Sequence, residues 1–173
     1  MQTTFSFETQ LKLGNEGEQI FFDKYKDYFE KNNSQNVMAP DFINKKTCAL
    51  AEIKFDNSTR AARDSNDLQK NFFVEMFSNS REMTLGGPFR AVQEGVDYYV
   101  YMFKEPFRIF IFDAVKFKNK AAQIINKNDY RELFIKNKTW YTSGYALPIN
   151  LFEECIITEE IMCSGKKLNN ITF

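Results

Sequence analysis

The sequence predicts an α/β or α+β fold in which a central mixed β-sheet is flanked by helices. Three observations lead to this prediction: an amphipathic helical stripe near the start of the chain, several alternating strand-like runs after it, and a tight turn between two aromatic strands. The length of 173 residues and the apolar fraction of 43% are typical of one domain with a substantial core. We therefore predict a single domain over residues 1–173.

The first predicted helix covers residues 15–32. Asn15 is a suitable N-cap, and Glu18 stands three residues later, at the position of a capping-box partner. The aromatic residues of this segment recur at helical spacing, and Glu18 falls in the middle of their stripe, whereas Glu16 points the opposite way. Two explanations of Glu18 therefore stay open: a role in capping, or a site role on the side of the helix that faces the core.

Strands are predicted to follow this helix in sequence order. The first two cover residues 37–43 and 47–56 and are joined by a polar turn, and a third covers residues 72–77 after a polar segment, 57–70, that we expect to be a mobile loop. The later predicted elements are a short helix at 89–94, a hairpin of 97–103 with 107–113, helices at 114–126 and 129–137, a final strand at 140–145 and a short helix after Pro148.

One segment of the chain has the residue types of a catalytic site. Pro40-Asp41 precedes Glu52-Ile53-Lys54 by a gap of ten residues. Side chains alternate along a strand, so Glu52 and Lys54 lie on one face, and Asp41 on the preceding strand can meet them. Two carboxylates suit a hard divalent cation, and a lysine suits an anionic phosphate or a water molecule that is being deprotonated.

Simpler structural explanations of these residues exist. Asp41 could serve as a turn residue after Pro40, and Glu52 with Lys54 could form a surface ion pair on an exposed strand. Against this, the alternate positions of the second strand are small or apolar, as expected for a face covered by a helix: Ala49, Ala51, Ile53 and Phe55. The pattern favours a site.

The composition excludes several other chemistries. The chain has no histidine, which excludes serine–histidine and cysteine–histidine catalysis and makes a zinc site very unfavourable. Cys48, Cys155 and Cys163 are not in a metal-binding spacing, so any metal ion must be held by oxygen ligands. The N-terminus lacks the regions of a signal peptide and no apolar run is long enough to span a bilayer, so we expect a cytoplasmic protein without a membrane partner.

The chain resembles the PD-(D/E)xK nuclease superfamily, whose members share a restriction-endonuclease-like core. The resemblance rests on Pro40-Asp41, on Glu52-Ile53-Lys54 and on their order after a helix that carries Glu18. It covers residues 14–113, with a weaker similarity near residues 146–148. It implies a metal-dependent nuclease that hydrolyses phosphodiester bonds in DNA.

The resemblance extends to phage-encoded members of the superfamily. The matching positions are Asn71, Glu75, Gly87 and Asp97, whereas Gly86-Gly87 departs from the Ser-Gly that such members often carry. Asn71, Glu75 and Asp97 are thus candidates to line the cleft, although Glu75 and Asp97 could equally pair with basic residues for structural reasons. A structure-selective role in phage replication or recombination would follow, inside a bacterial host.

The resemblance also implies residue roles. Asp41 and Glu52 would ligate Mg²⁺ or Mn²⁺ together with the backbone carbonyl of Ile53, and Glu18 would bind the metal directly or through water. Lys54 would orient the attacking water or help to deprotonate it, and would offset charge in the transition state. A homodimer would allow two sites to cut two strands. Two alternatives stay open: a catalytically silent member that binds nucleic acid or protein, and a nuclease that acts on RNA.

The charge distribution bears on the nucleic-acid prediction. The chain carries 23 basic and 23 acidic residues, which argues mildly against a nonspecific nucleic-acid coat. Residues 114–138 nevertheless contain seven Lys or Arg against two acidic residues. Within them, Lys116, Lys118 and Lys120 are candidates for nucleic-acid binding, and a solvated helix face is the equally weighted alternative.

Overall fold

The structure is a computed structural model, and it describes residues 7–34, 36, 39–57, 69–105, 107–127, 129–137 and 139–161. The helical elements are α1 (Phe7–Tyr25), α2 (Gly87–Gln93), α3 (Ala114–Asn126) and a 3₁₀ helix over Ile149–Cys155. The strands are β1 (Phe29–Lys31), β2 (Phe42–Asn44), β3 (Leu50–Asp56), β4 (Asn71–Asn79), β5 (Thr84–Leu85), β6 (Tyr98–Phe103), β7 (Arg108–Asp113), β8 (Glu132–Lys136), β9 (Tyr141–Pro148) and β10 (Ile156–Ile161).

The predicted fold class is confirmed: the protein has a central mixed sheet flanked by helices. This sheet has six strands in the order β1-β2-β3-β6-β7-β10. β3 and β6 are parallel, and the other neighbouring pairs are antiparallel. The β6–β7 hairpin and helix α3 occur where the sequence predicts them, and Asp113 caps α3 by accepting a hydrogen bond from the backbone N–H of Lys116 at 2.9 Å.

A second sheet was not predicted. β4 does not join the central sheet but forms a four-stranded antiparallel sheet in the order β5-β4-β9-β8. Phe72 of β4 anchors this sheet to the central one through ring contacts with aromatic residues of β6, β7, α3 and the 3₁₀ helix: Tyr101, Phe103, Phe110, Phe112, Phe117 and Phe152. Local alternation indicates that a segment is a strand, but it does not say which sheet the strand enters.

Helix α1 covers the opposite face of the central sheet. Phe21 and Tyr25 are buried with Val100 and Ile111 of the sheet. Gly17 faces Phe55 so closely that an added Cβ would lie 2.4 Å from the Phe55 Cβ. The apolar alternate face predicted for β3 is thus confirmed: Ala51 and Phe55 are buried, and a helix lies over them.

Several predicted boundaries are wrong. The first helix already includes Phe7 and ends at Tyr25, so Asn15 lies inside it and does not cap it. The helix stops early because Phe29 to Lys31 pair with β2 instead. The strand predicted at 37–43 begins only at Phe42, and the strand predicted from 47 begins at Leu50.

The helix predicted at residues 129–137 is also wrong, because residues 132–136 form β8 and pair with β9 in an antiparallel ladder. The run Leu133-Phe134-Ile135 contains β-branched and aromatic residues, which favour a strand when they can pair with a neighbouring strand. β9 is followed by a further strand, β10, and the helix after Pro148 is of the 3₁₀ type. Most of the predicted loop, residues 58–68, lies outside the described residues.

Among the residues that the structure describes, no helix is long and apolar enough to cross a membrane.

Candidate active site

The Asp41 side chain contacts β3 just beyond the two residues of β3 that pair with β2. β2 pairs only with Leu50 and Ala51 of β3. Just beyond, the Ile53 N–H donates a hydrogen bond of 2.7 Å to Asp41 Oδ2, so the carboxylate takes the place of the missing strand. The N–H and C=O of one residue point to the same side of an extended strand, so the Ile53 carbonyl also faces the side from which Asp41 approaches.

Glu18 approaches the same place from the helical layer. It lies in the middle of α1 and not in a first turn, so the capping explanation for it fails. The close contact of Gly17 with Phe55 holds this part of the helix against β3. Glu18 is half-buried there, and its negative charge raises the pKa of both Asp41 and Glu52.

The charged forms of two of these carboxyl groups, Asp41 and Glu52, are destabilised in the folded protein. Burial raises the pKa of Asp41 to about 8, and the charges of Glu52 and Glu18 add to the rise against the lowering effects of the Ile53 N–H and Arg90. Burial also raises the pKa of Glu52, with Glu18 adding to it and Arg90 and Lys54 opposing it. Carboxylates withdrawn from water and crowded together are typical of functional sites, because folding alone gives no reason to keep them.

Arg90 of α2 forms an ion pair with Glu52 across the site. The Glu52 side chain is only 12% exposed and that of Arg90 25%. Sequence reasoning missed Arg90, and no local pattern could have found it, since the contact joins residues 38 positions apart. The only available signal was general: a buried carboxylate needs a cation nearby.

We call the surroundings of Glu18, Asp41, Glu52 and Arg90 the cleft. Lys54 lies at the cleft and pairs with Glu75 of β4, with 3.5 Å between Lys54 Nζ and Glu75 Oε2. The Glu75 side chain is 15% exposed and lies against Gly86, where an added Cβ would meet Glu75 Oε1 at 2.1 Å. A serine at position 86 would therefore displace Glu75. This contact gives a physical reason for the departure of Gly86-Gly87 from the Ser-Gly pattern.

A buried hydroxyl fixes the end of the strand that carries Lys54. The Tyr101 hydroxyl donates to Asp56 Oδ2 at 2.7 Å and accepts from the Phe73 N–H at 3.0 Å. Asp56 is half-buried at this contact. The contact ties β3 to β4, and so places Lys54 and Glu75 opposite one another. Tyr99 and Tyr101 of β6 are core residues, and burial raises the pKa of Tyr101 well above its usual range.

The other predicted cleft residues lie elsewhere or have structural partners. Asp97 precedes β6 and accepts a hydrogen bond from the Leu50 N–H at 2.8 Å through its Oδ2, which fixes the start of β3. Asn71 is the first residue of β4, opposite Pro148 of β9. The structure therefore brings together Glu18, Asp41, Glu52, Lys54 and Glu75, and adds Arg90.

The candidate nucleic-acid-binding lysines lie on α3. Lys116 is exposed, Lys120 Nζ pairs with Glu154 Oε1 at 2.8 Å, and Lys118 Nζ lies 3.4 Å from Asn119 Oδ1. The Glu154 side chain is 70% exposed, which identifies this ion pair as a surface contact.

Within the described residues, no group of three or more His, Cys, Asp or Glu side chains is arranged to hold a metal ion. The oxygen types present are nevertheless those that a hard divalent cation takes as ligands: Asp41, Glu52 and Glu18 supply carboxylates, and Ile53 supplies a backbone carbonyl. Burial is the main cause of the raised pKa of Asp41, and the charges of Glu52 and Glu18, which a bound cation would offset, add to it. Glu52 must exchange its contact with Arg90 to take part.

Comparison of the chain with protein-family models, with curated proteins and with solved structures finds no match.

Proposed function

We propose that this protein is a metal-dependent nuclease that hydrolyses phosphodiester bonds in DNA. One observation carries the proposal: Glu18 of α1, Asp41 just before β2 and Glu52 of β3 are distant in sequence, yet the charges of Glu18 and Glu52 raise the pKa of Asp41, and the charge of Glu18 raises that of Glu52. Lys54 stands two residues after Glu52 on the same face of β3. Nothing in the core requires this arrangement, whereas hydrolysis of an anionic phosphodiester does.

The order of the elements supports a restriction-endonuclease-like core. A helix bearing Glu18 is followed by Asp41, which immediately precedes β2, and by the Glu-x-Lys strand β3, which is the order on which the resemblance to the PD-(D/E)xK superfamily rests. The parallel strand β6 then backs β3 and buries its Tyr99 beside Glu52 in register. We assign the protein to this superfamily as part of the proposal.

Each residue has a definite task in the proposed reaction. Asp41, Glu52 and Glu18, with the Ile53 carbonyl, would hold Mg²⁺ or Mn²⁺, which lowers the pKa of water and stabilises negative charge on the phosphate. Lys54 lies beside this group, where its ammonium can orient the attacking water and offset charge on the non-bridging oxygens. Glu75 holds Lys54 in position, and Arg90 is a second cation that can turn from Glu52 to the phosphate.

The substrate and setting come from the resemblance to phage-encoded members. We propose DNA as the partner, with selectivity for branched or otherwise non-duplex structures in phage replication or recombination, within the cytoplasm of the host. The attacked phosphate is common to DNA and RNA, so RNA is tested beside DNA.

The test is cleavage of supercoiled, branched and single-stranded DNA and of single-stranded RNA with Mg²⁺ or Mn²⁺. We expect cleavage by the wild type, and we expect Lys54→Ala to lose it because the water and the phosphate lose their cation. Lys104→Ala is the matched control: it removes a lysine of similar exposure that pairs with Glu16 outside the cleft, at 2.7 Å.

Two results would contradict the proposal. One is the absence of cleavage of every substrate by folded wild-type protein, and the other is equal rates for the wild type and Lys54→Ala. Cleavage of RNA alone would retain the chemistry and change the substrate.

The ion pairs of the cleft favour a second candidate function, a catalytically silent protein of the same fold that binds nucleic acid or a protein partner. Arg90 already compensates Glu52, and Glu75 already compensates Lys54. Titration with Mn²⁺ separates the two functions. Tight binding that is lost in Asp41→Asn supports the nuclease, whereas identical weak binding by both proteins supports the silent member.

A further inference from the structure

Strand β8 exposes an apolar run at the edge of the second sheet. Leu133, Phe134 and Ile135 are 40%, 58% and 39% exposed, although they stand consecutively in a strand. In the described part of the chain β8 pairs with β9 alone, so its other side is an open edge. Protein edge strands are normally protected by charges, prolines or bulges within the strand, and the middle of β8 has none of these.

The sequence of β8 is complementary to itself. Glu132 and Lys136 stand at its two ends, Leu133 and Ile135 stand inside them, and Phe134 is central. If two copies pair antiparallel about Phe134, Glu132 faces the partner's Lys136, Leu133 faces the partner's Ile135, and the two Phe134 rings meet at the axis. Parallel pairing in register would instead set Glu against Glu and Lys against Lys.

From this complementarity we propose that β8 forms a dimer interface, in which it pairs with the β8 strand of a second copy of this chain. The interface is isologous, as a two-fold axis requires, and it joins two four-stranded sheets into one of eight strands. It also removes the exposed run from water. Tyr141, 43% exposed and in ring contact with Phe134 at 6.5 Å, extends the apolar surface on that face.

The inference is independent of the proposed nuclease activity, since it uses none of the cleft residues. A dimer formed through β8 persists whether or not the protein cleaves DNA.

The test is the molar mass of the full chain by light scattering and sedimentation over a range of concentrations, with charge-reversal variants. Glu132→Lys and Lys136→Glu each create two like-charge contacts per dimer, and we expect each to raise the dimer dissociation constant about tenfold. The double variant Glu132→Lys/Lys136→Glu restores opposite charges and should restore the wild-type constant. Within one chain these residues face Tyr145 and Tyr141 of β9, so the exchange creates no internal charge clash.

Further variants keep the test decisive. Phe134→Asp sets two carboxylates at the axis and should give a monomer, with its fold checked by circular dichroism. A monomeric wild type at all concentrations overturns the proposal, and so does a dimer that the charge variants leave unchanged. If removal of residues 162–173 converts a monomer into a dimer, the C-terminal segment covers the edge and the second copy is not its natural occupant.

Discussion

Glu160 and Asp41 are both acidic side chains withdrawn from water, and they differ in what surrounds them. Glu160 of β10 is 7% exposed, accepts a hydrogen bond from the Tyr25 hydroxyl at 2.6 Å, and pairs with Lys24 Nζ at 2.5 Å. A cation and a hydroxyl thus match one carboxylate. This contact fastens the C-terminal end of α1 to the edge strand of the central sheet.

The cleft lacks such a balance. Among the described residues, four carboxyl groups, those of Glu18, Asp41, Glu52 and Glu75, interact here with two cations, Arg90 and Lys54. Burial, with the charges of Glu52 and Glu18 adding to it, raises the pKa of Asp41. A matched buried carboxylate is explained by stability, whereas an unmatched cluster costs stability and calls for a ligand of opposite charge.

The largest expected effect contrasts Glu52→Gln with Glu160→Gln. We expect Glu52→Gln to lower the cleavage rate about a thousandfold, because it removes a charge that acts on the reacting phosphate through the metal. Glu160→Gln should destabilise the fold by about 1–3 kcal/mol and leave the rate per folded molecule within about twofold. The measurements are initial cleavage rates and urea unfolding. Equal rate losses in the two variants would contradict the different roles assigned to Glu52 and Glu160.

The next prediction concerns the pH dependence of metal binding at Asp41. A cation that binds Asp41 must displace the proton that the pKa of about 8 retains on it at neutral pH. The affinity for Mn²⁺ should therefore rise about fiftyfold between about pH 6 and pH 8 and level off above that. Calorimetric titration at several pH values measures this rise. A constant affinity over this range would show that Asp41 loses no proton on binding.

The next prediction concerns the free energy of unfolding and its dependence on pH through Asp41. The pKa of Asp41 rises from 3.8 to about 8 on folding, so the native state holds a proton that the unfolded chain releases. Stability from this group is present at low pH and falls as the pH rises through this window. Asp41→Asn should remove the fall and stabilise the protein at pH 8 and above, on the order of 2–3 kcal/mol.

Asp23→Asn is the matched control for this stability prediction, because Asp23 is exposed and accepts only a local hydrogen bond from Gln19 at 2.8 Å. Urea unfolding from about pH 4 to 9 gives the comparison. A parallel pH dependence of the wild type and Asp41→Asn would contradict the cause assigned to the raised pKa.

The smallest expected effect tests how Glu75 is held. Gly86→Ala should push the Glu75 carboxylate off Lys54, at a cost of about 1 kcal/mol in stability and about tenfold in cleavage. Gly14→Ala in α1 is the control, because an added Cβ there meets nothing within 4 Å. If both variants behave alike, the contact of Gly86 with Glu75 does not position Lys54.

Sequence reasoning located the cleft better than it located the fold around it. Glu52 and Lys54 were predicted to share a face of the strand, and Glu18 was placed on the side of α1 that faces the core, where it interacts with Asp41 and Glu52 even though Asn15 does not cap the helix. Both predictions follow from the direction of side chains in a regular backbone, which does not depend on where the element ends.

The missed features are contacts between distant parts of the chain. The segment of β8 was predicted as a helix, and its pairing with β9 makes it a strand. The placement of β4 in a second sheet brought Glu75 to Lys54, and the position of α2 brought Arg90 to Glu52. Such contacts depend on packing that no local window contains.

The sequence by itself determined the α/β class, helix α3, the aromatic hairpin, and a carboxylate and a lysine on one face of β3, because backbone geometry sets side-chain direction locally. Only the tertiary structure decided which cations pair with the carboxylates of the cleft and how deeply those carboxylates are buried. Burial and long-range charge raise the pKa of Asp41, and both exist only once α1, β3 and α2 are packed together.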